Sequence, residues 1–195
     1  MKQRVASLVL LGLLAGLWPA APVEATSVKP VVFADLVDSS PEIFVGQVVA
    51  RRSQWVNTPR GQAIVTLVTF RIEESIKGGL LTETTLEFLG GTVGDTTMKV
   101  HGSPEFKVGD RDVVFVGLRN AVSPVNGFWQ GRFRVTRDAV RGVDTVRGHD
   151  GRVISSTASI GAAPTTSLTA QTTMTLADFR AEIRSRIRAN EGRIQ

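Results

Sequence analysis

The run Ala63-Ile64-Val65-Thr66-Leu67-Val68-Thr69-Phe70-Arg71-Ile72-Glu73-Glu74-Ser75 has a period of two. Side chains along an extended chain point to alternate sides, so Ile64, Thr66, Val68, Phe70 and Ile72 share one face and Val65, Leu67, Thr69, Arg71 and Glu73 the other. The second face turns polar towards its C-terminal end. That pattern predicts a long strand that curls around a small barrel.

The flanking residues fit the same picture. Ile43 to Ser53 is rich in Val and Ile, and Asn57-Thr58-Pro59-Arg60-Gly61 marks a turn between it and the quoted run. Lys77-Gly78-Gly79 ends the second strand, after which Thr84 to Leu89, Thr96 to His101, Asp112 to Leu118 and Phe128 to Thr136 predict four more. Six short strands without a long helical pattern between them predict an all-β, mainly β fold, a sandwich or an OB-like small barrel. Phe33, Leu36 and Val37, at i, i+3 and i+4 before Ser39-Ser40-Pro41, predict a short helix in front of the barrel.

Val153 to Ala177 contains no charged residue and is dominated by Ser, Thr and Ala, the composition of a linker or loop. Thr175 then caps an amphipathic helix over residues 176–190, with Leu176, Phe179, Ile183 and Ile187 on one stripe and Glu182 and Arg186 as an i,i+4 pair. The expected organisation is a signal peptide at 1–25, a barrel domain at 26–152, a linker at 153–175 and the helix.

The signal peptide is read from Lys2 and Arg4, the apolar run from Val5 to Trp18, and small residues around Val23-Glu24-Ala25. The apolar run is shorter than the ~20 residues that span a bilayer. Cleavage after Ala25 leaves enough chain for one domain that buries roughly 70% of its unfolded surface. The expectation is an exported chain, periplasmic or secreted, without a transmembrane segment. A formal net charge of +5 does not call for nucleic acid, and the absence of cysteine removes disulfides, thiol nucleophiles and a lipidated cysteine.

Chemical signatures are sparse. His101 and His149 stand alone without a second ligand at i+3 or i+4, so neither a metal nor another cofactor is expected. No Gly-x-Ser-x-Gly elbow is present, and Gly90-Gly91-Thr92-Val93-Gly94 lacks the Lys-Ser/Thr ending of a phosphate loop and is read as a structural turn. Asp110 and Asp112 share a face at a strand start, and with His101 they could run an acid-base hydrolase. The alternative is a turn residue followed by a solvent-facing strand end. Phe128, Trp129 and Phe133 are expected in the core with Arg132 and Arg134 outward.

Trp55, near the tip of the first hairpin beside Arg51, Arg52 and Arg60, is the aromatic residue least explained by folding. Trp and Arg dominate binding hot spots, so Trp55 and Arg60 are the candidate partner-binding residues of a non-enzymatic module whose partner is a protein or envelope component. The alternative for Trp55 is that it folds back over the barrel mouth. Arg180, Arg184, Arg186, Arg188 and Arg193 on the C-terminal helix add the option of a weak membrane-surface contact.

Two resemblances follow from motifs. Asp35-Leu36-Val37, Ile43-Phe44-Val45-Gly46-Gln47-Val48-Val49 and Phe70-Arg71-Ile72-Glu73-Glu74-Ser75-Ile76-Lys77-Gly78 resemble the first strands of the netrin-like OB-fold of the tissue inhibitors of metalloproteinases. Over most of the chain, Gly90-Gly91-Thr92-Val93-Gly94, Val100-His101-Gly102-Ser103-Pro104-Glu105-Phe106, Gly109-Asp110 and Gln130-Gly131-Arg132-Phe133-Arg134-Val135 resemble a group of uncharacterised exported bacterial proteins. The inhibitor resemblance implies a five-stranded barrel that presents loops to a partner. Those inhibitors place an N-terminal cysteine on the protease zinc, and no cysteine exists here, so only the fold is implied.

Overall fold

Residues 29–79, 82–119, 122–162 and 172–192 are described by the structure, a computed structural model. The expected signal peptide, residues 163–171 of the expected linker and Arg193 lie outside the described residues. The elements, in chain order, are helix α1 (Phe33–Ser39), strands β1 (Glu42–Thr58), β2 (Gly61–Lys77), β3 (Glu83–Leu89), β4 (Gly91–Val93), β5 (Thr96–Met98), β6 (Arg111–Val116), β7 (Arg132–Asp138) and β8 (Val143–Gly148), and helix α2 (Leu176–Glu191).

The fold is mainly β with a short N-terminal helix and a C-terminal amphipathic helix, as the sequence predicts. Six strands form one antiparallel sheet in the order β3-β2-β1-β6-β7-β8, and β4 and β5 form a separate hairpin. Two of these strands escaped the sequence reading. β4 lies inside the glycine run, and β8 follows a turn in which the Asp138 carboxylate accepts from Val140 and Arg141 N–H. β1 and β2 are longer than predicted, because the hairpin stays paired to Thr58 and Gly61.

Alternation along the strands gives the sheet two apolar faces. Ile43, Val45, Val113, Phe115, Phe133, Val135 and Val146 point to the face covered by both helices. Phe44, Val48, Val68, Phe70, Leu86, Phe88, Val114 and Val116 enclose Phe106 and Val125 on the other. Phe106 packs edge-on against Phe70 at 5.2 Å between ring centres. Among the described residues no ladder joins β3 to β7 or β8, so the barrel is partly open. The chain after β6 bridges the gap: Leu89 N–H donates to the Val122 carbonyl at 3.1 Å, and the Arg119 guanidinium reaches Thr84 Oγ1 at 3.0 Å.

The predicted stripe of α2 docks on the sheet. Phe179 and Ile183 are fully buried, and the Phe179 ring lies 5.0 Å from Phe133, 5.8 Å from Phe33 and 6.2 Å from Phe115. Thr175 Oγ1 accepts from Asp178 N–H at 3.0 Å, the cap that the sequence predicts. Arg180 and Arg184 both pair with Glu74 of β2. Arg186 pairs with Asp38 of α1 where the i,i+4 spacing predicts Glu182, because docking brings a second helix within reach.

The described parts of the 153–175 stretch are tied to the body. Ile154 and Ile160 enter the helix-side core, Met174 N–H donates to the Ile154 carbonyl at 2.7 Å, and Val146 N–H donates to the Met174 carbonyl at 3.0 Å. Their apolar side chains were hidden in the sequence by the Ser and Thr around them. Among the described residues, no helix is long and apolar enough to cross a membrane.

Candidate functional site

The expected acid pair is bound up with an arginine. β7 places Arg132 beside Val114 of β6 and Arg134 beside Asp112, so Arg132 reaches Asp112 diagonally on the same sheet face. Its Nε donates to Asp112 Oδ1 at 3.0 Å, and Nη2 donates to Asp112 Oδ2 at 3.0 Å and Asp110 Oδ2 at 2.7 Å. Nη1 donates to the Glu105 carbonyl. The guanidinium carbon stands 4.0 Å from the centre of the Phe106 ring.

Two expectations are corrected here. Arg132 is buried rather than outward, and Asp112 is buried rather than a solvent-facing strand end. A guanidinium tolerates burial only with acceptors for its fork of donors, and two carboxylates, a carbonyl and an aromatic face supply them. Burial pushes the Asp112 carboxyl above its ordinary range against the pull of Arg132. Burial also works to raise Asp110, but the Lys107 N–H and Arg132 outweigh it and hold that group low. With both acids engaged by one cation, the arrangement is an internal staple.

Next to this staple, a cleft of about 270 Å³ opens between the β1–β2 face, the β4–β5 hairpin and the segment from Lys99 to Phe106. Arg51, Thr66, Phe88, Lys99, His101 and Phe106 are among its walls. The lining is mixed: Val68, Phe88 and Phe106 are apolar, Arg51 and Lys99 bring positive charge, and Glu105 brings a negative one. His101 is exposed, as expected, but Asp110 and Asp112 do not line the cleft. The three residues of an acid-base set are therefore not gathered in one place.

Gly91 is where β4 meets the sheet. A Cβ on it would lie 2.3 Å from Thr66 Oγ1 and 2.6 Å from Ser53 Oγ, so glycine lets β4 lie directly on the hydroxyl pair of β1 and β2. Those hydroxyls are 2.9 Å apart. The glycine run is thus a short strand and a turn pressed onto the sheet.

Trp55 lies on the face that carries the cleft. Register pairs Arg51 with Val68, Ser53 with Thr66 and Trp55 with Ile64, and opposite residues in an antiparallel pair share a side. Ile64 is fully buried whereas Trp55 remains 46% exposed, so the indole is partly laid down and keeps a free surface. Arg60 is exposed in the turn beyond Thr58, about 10 Å or more further along the hairpin at ~3.3 Å per residue. Arg51 lines the cleft and Trp55 shares its face four residues further along β1, whereas Arg60 stands at the hairpin tip.

A second cavity, of about 360 Å³, was not legible in the sequence. Trp129, Phe133, His149, Ile154 and Ile160 line it, and the Trp129 and His149 rings are 5.7 Å apart. Phe128 and Trp129 are half-buried rather than core plugs. Phe128 adopts a φ of 62° in the turn before β7, and the Trp129 ring lies against Gly102. Burial holds the His149 imidazole below its ordinary range. Among the described residues, no three His, Asp or Glu side chains gather as a metal-binding group.

In comparisons with protein-family models, curated proteins and solved structures, no match to this chain was found.

Proposed function

We propose that this chain is an exported, non-enzymatic binding module of the cell envelope or extracellular space, and that it engages its partner at the barrel mouth through the β1–β2 hairpin. The observation that supports this most is the contrast between Trp55 and the acidic pair. Asp110 and Asp112 are consumed by Arg132, while a large aromatic side chain stands half free on the β1–β2 hairpin, on the sheet face that carries the cleft. Large rigid aromatics next to arginine are the residues that carry binding energy. The signal-peptide pattern at residues 1–25 supports the exported location.

The test is capture from a cell-envelope fraction on the immobilised chain, repeated with Trp55→Ala. A discrete partner retained by the first and lost by the second supports the reading. Capture of nothing above a blank resin discards it.

A further inference from the structure

Among the described residues, β1 has an edge that is only half used. β6 runs beside it from Glu42 to Gln47, and Val48 N–H to the Asp110 carbonyl (2.8 Å) and Gly109 N–H to the Val48 carbonyl (2.9 Å) end that contact. A bulge between Val48 and Ala50 follows. From Ala50 to Thr58 the strand is laddered to β2 on one side, and among the described residues no backbone group bonds to its other side. The β4–β5 hairpin does not fill this place, because β4 lies across the sheet face, on the Ser53 and Thr66 hydroxyls.

An edge with alternate N–H and C=O groups turned outward is a template for another strand. Charge selects the occupant. Residues 50–63 contain Arg51, Arg52 and Arg60 and no acidic residue. All three arginines are exposed, and none is paired with a carboxylate among the described residues. A second copy of the chain would bring a cationic edge to a cationic edge, and like charges across a strand pair destabilise it. An acidic strand meets the opposite condition.

We propose that the Ala50–Thr58 edge of β1 takes up an extended acidic segment of a partner protein as an added strand. Main-chain hydrogen bonds supply the alignment, Arg51 receives a carboxylate on the face where the free surface of Trp55 receives an apolar side chain, and Arg52 adds positive charge on the opposite face. This inference rests on the binding-module reading and names the chemistry of its partner.

The test uses the chain without its signal peptide and end-blocked nine-residue peptides. One peptide alternates Glu and Val around a central Phe, a second has Lys in place of Glu, and a third is the acidic peptide N-methylated at alternate amides. The expected result is that the acidic peptide binds at least about tenfold more tightly than the lysine peptide. It should also slow amide exchange at alternate residues between Arg51 and Thr58, and lose affinity on N-methylation and in high salt. Arg51→Glu with Arg52→Glu should reverse the preference. Equal binding of the acidic and basic peptides, no binding at millimolar peptide, undiminished binding of the N-methylated peptide, or dimerisation of the free chain through this edge would overturn the proposal. If capture of an envelope partner still depends on Trp55 in any of those events, only the added strand is lost and the binding module stands.

Discussion

Arg132 holds Asp112 in a two-point grip, both contacts at 3.0 Å, with the two side chains almost completely shut off from solvent. Removing one partner of such a pair leaves a buried charge uncompensated and costs about 3–5 kcal/mol, whereas replacing both by apolar groups is often neutral. Arg132→Met should therefore destabilise the chain strongly, and Asp112→Leu added to it should recover much of the loss. Urea unfolding of the two single variants and the double variant measures this; additive losses would show that the pair is not coupled.

The acidic limb of stability should come from carboxyls held low in the fold, Asp110 and Asp150 together with two exposed ion pairs. Hydrogen bonds from Arg186 hold the Asp38 carboxyl below its ordinary range, and Arg111 does the same for Asp144. A group whose folded pKa is depressed binds fewer protons folded than unfolded, so its contribution is complete above about pH 4 and disappears as pH falls through the folded value. Asp112, displaced upward, acts in the opposite sense, and its contribution is lost as pH rises past the folded value. The urea midpoint should thus fall below about pH 4, and Asp38→Asn should flatten part of that fall. An unchanged slope in Asp38→Asn would assign the acid sensitivity elsewhere.

Phe179 is the keystone of the helix-side core, with three ring partners on two strands and α1. Phe179→Ala should cost about 3–5 kcal/mol, the range for a large buried aromatic. Limited proteolysis adds a second readout. Ile183→Asp should release α2 and lower the global melting temperature together, since an isolated helix of this length is marginal in water. Rapid loss of α2 with an unchanged barrel would mean that the two fold independently.

Gly91 makes the cleft a sensitive reporter of packing. A methyl group there meets two hydroxyls that are already hydrogen-bonded to each other, and the φ of 141° disfavours any side chain. Gly91→Ala should cost about 1–3 kcal/mol by overpacking and backbone strain. Melting of the variant checks it. A stability equal to that of the parent would mean that the β4–β5 hairpin yields freely.

What could be read from the chain alone was what local pattern encodes. The period-two run of Ala63–Ser75, the Thr175 cap and the Leu176, Phe179, Ile183 stripe each state their own geometry within a few residues. Arg132 could not be read, because Arg132, Phe133 and Arg134 alternate as a half-exposed strand does. The fact that reverses the meaning is the β6–β7 register, which sets Asp112 diagonally across from Arg132. Trp129 and His149 meet only after β7 and β8 fold back on each other. The open edge of β1 was equally invisible, since it depends on where β6 stops.

Trp55 separates a binding role from a structural one by the size of two effects. The residue is 46% exposed and opposite a fully buried Ile64, so truncation removes a partly solvated side chain and leaves no enclosed cavity. Trp55→Ala should change stability by less than about 1 kcal/mol, well under the ~3–5 kcal/mol of a buried Trp. Partner affinity should fall by at least about 1 kcal/mol, roughly fivefold or more, which is the scale of a residue that matters at an interface. Arg60→Ala, at the hairpin tip, should weaken capture less at physiological salt than at low salt, because an exposed charge acts through a screened field. Calorimetric melting and titration with the captured partner read both quantities. A stability loss near 3 kcal/mol would assign Trp55 to the barrel mouth as a plug, and unchanged affinity with normal melting would remove the hairpin from the interface.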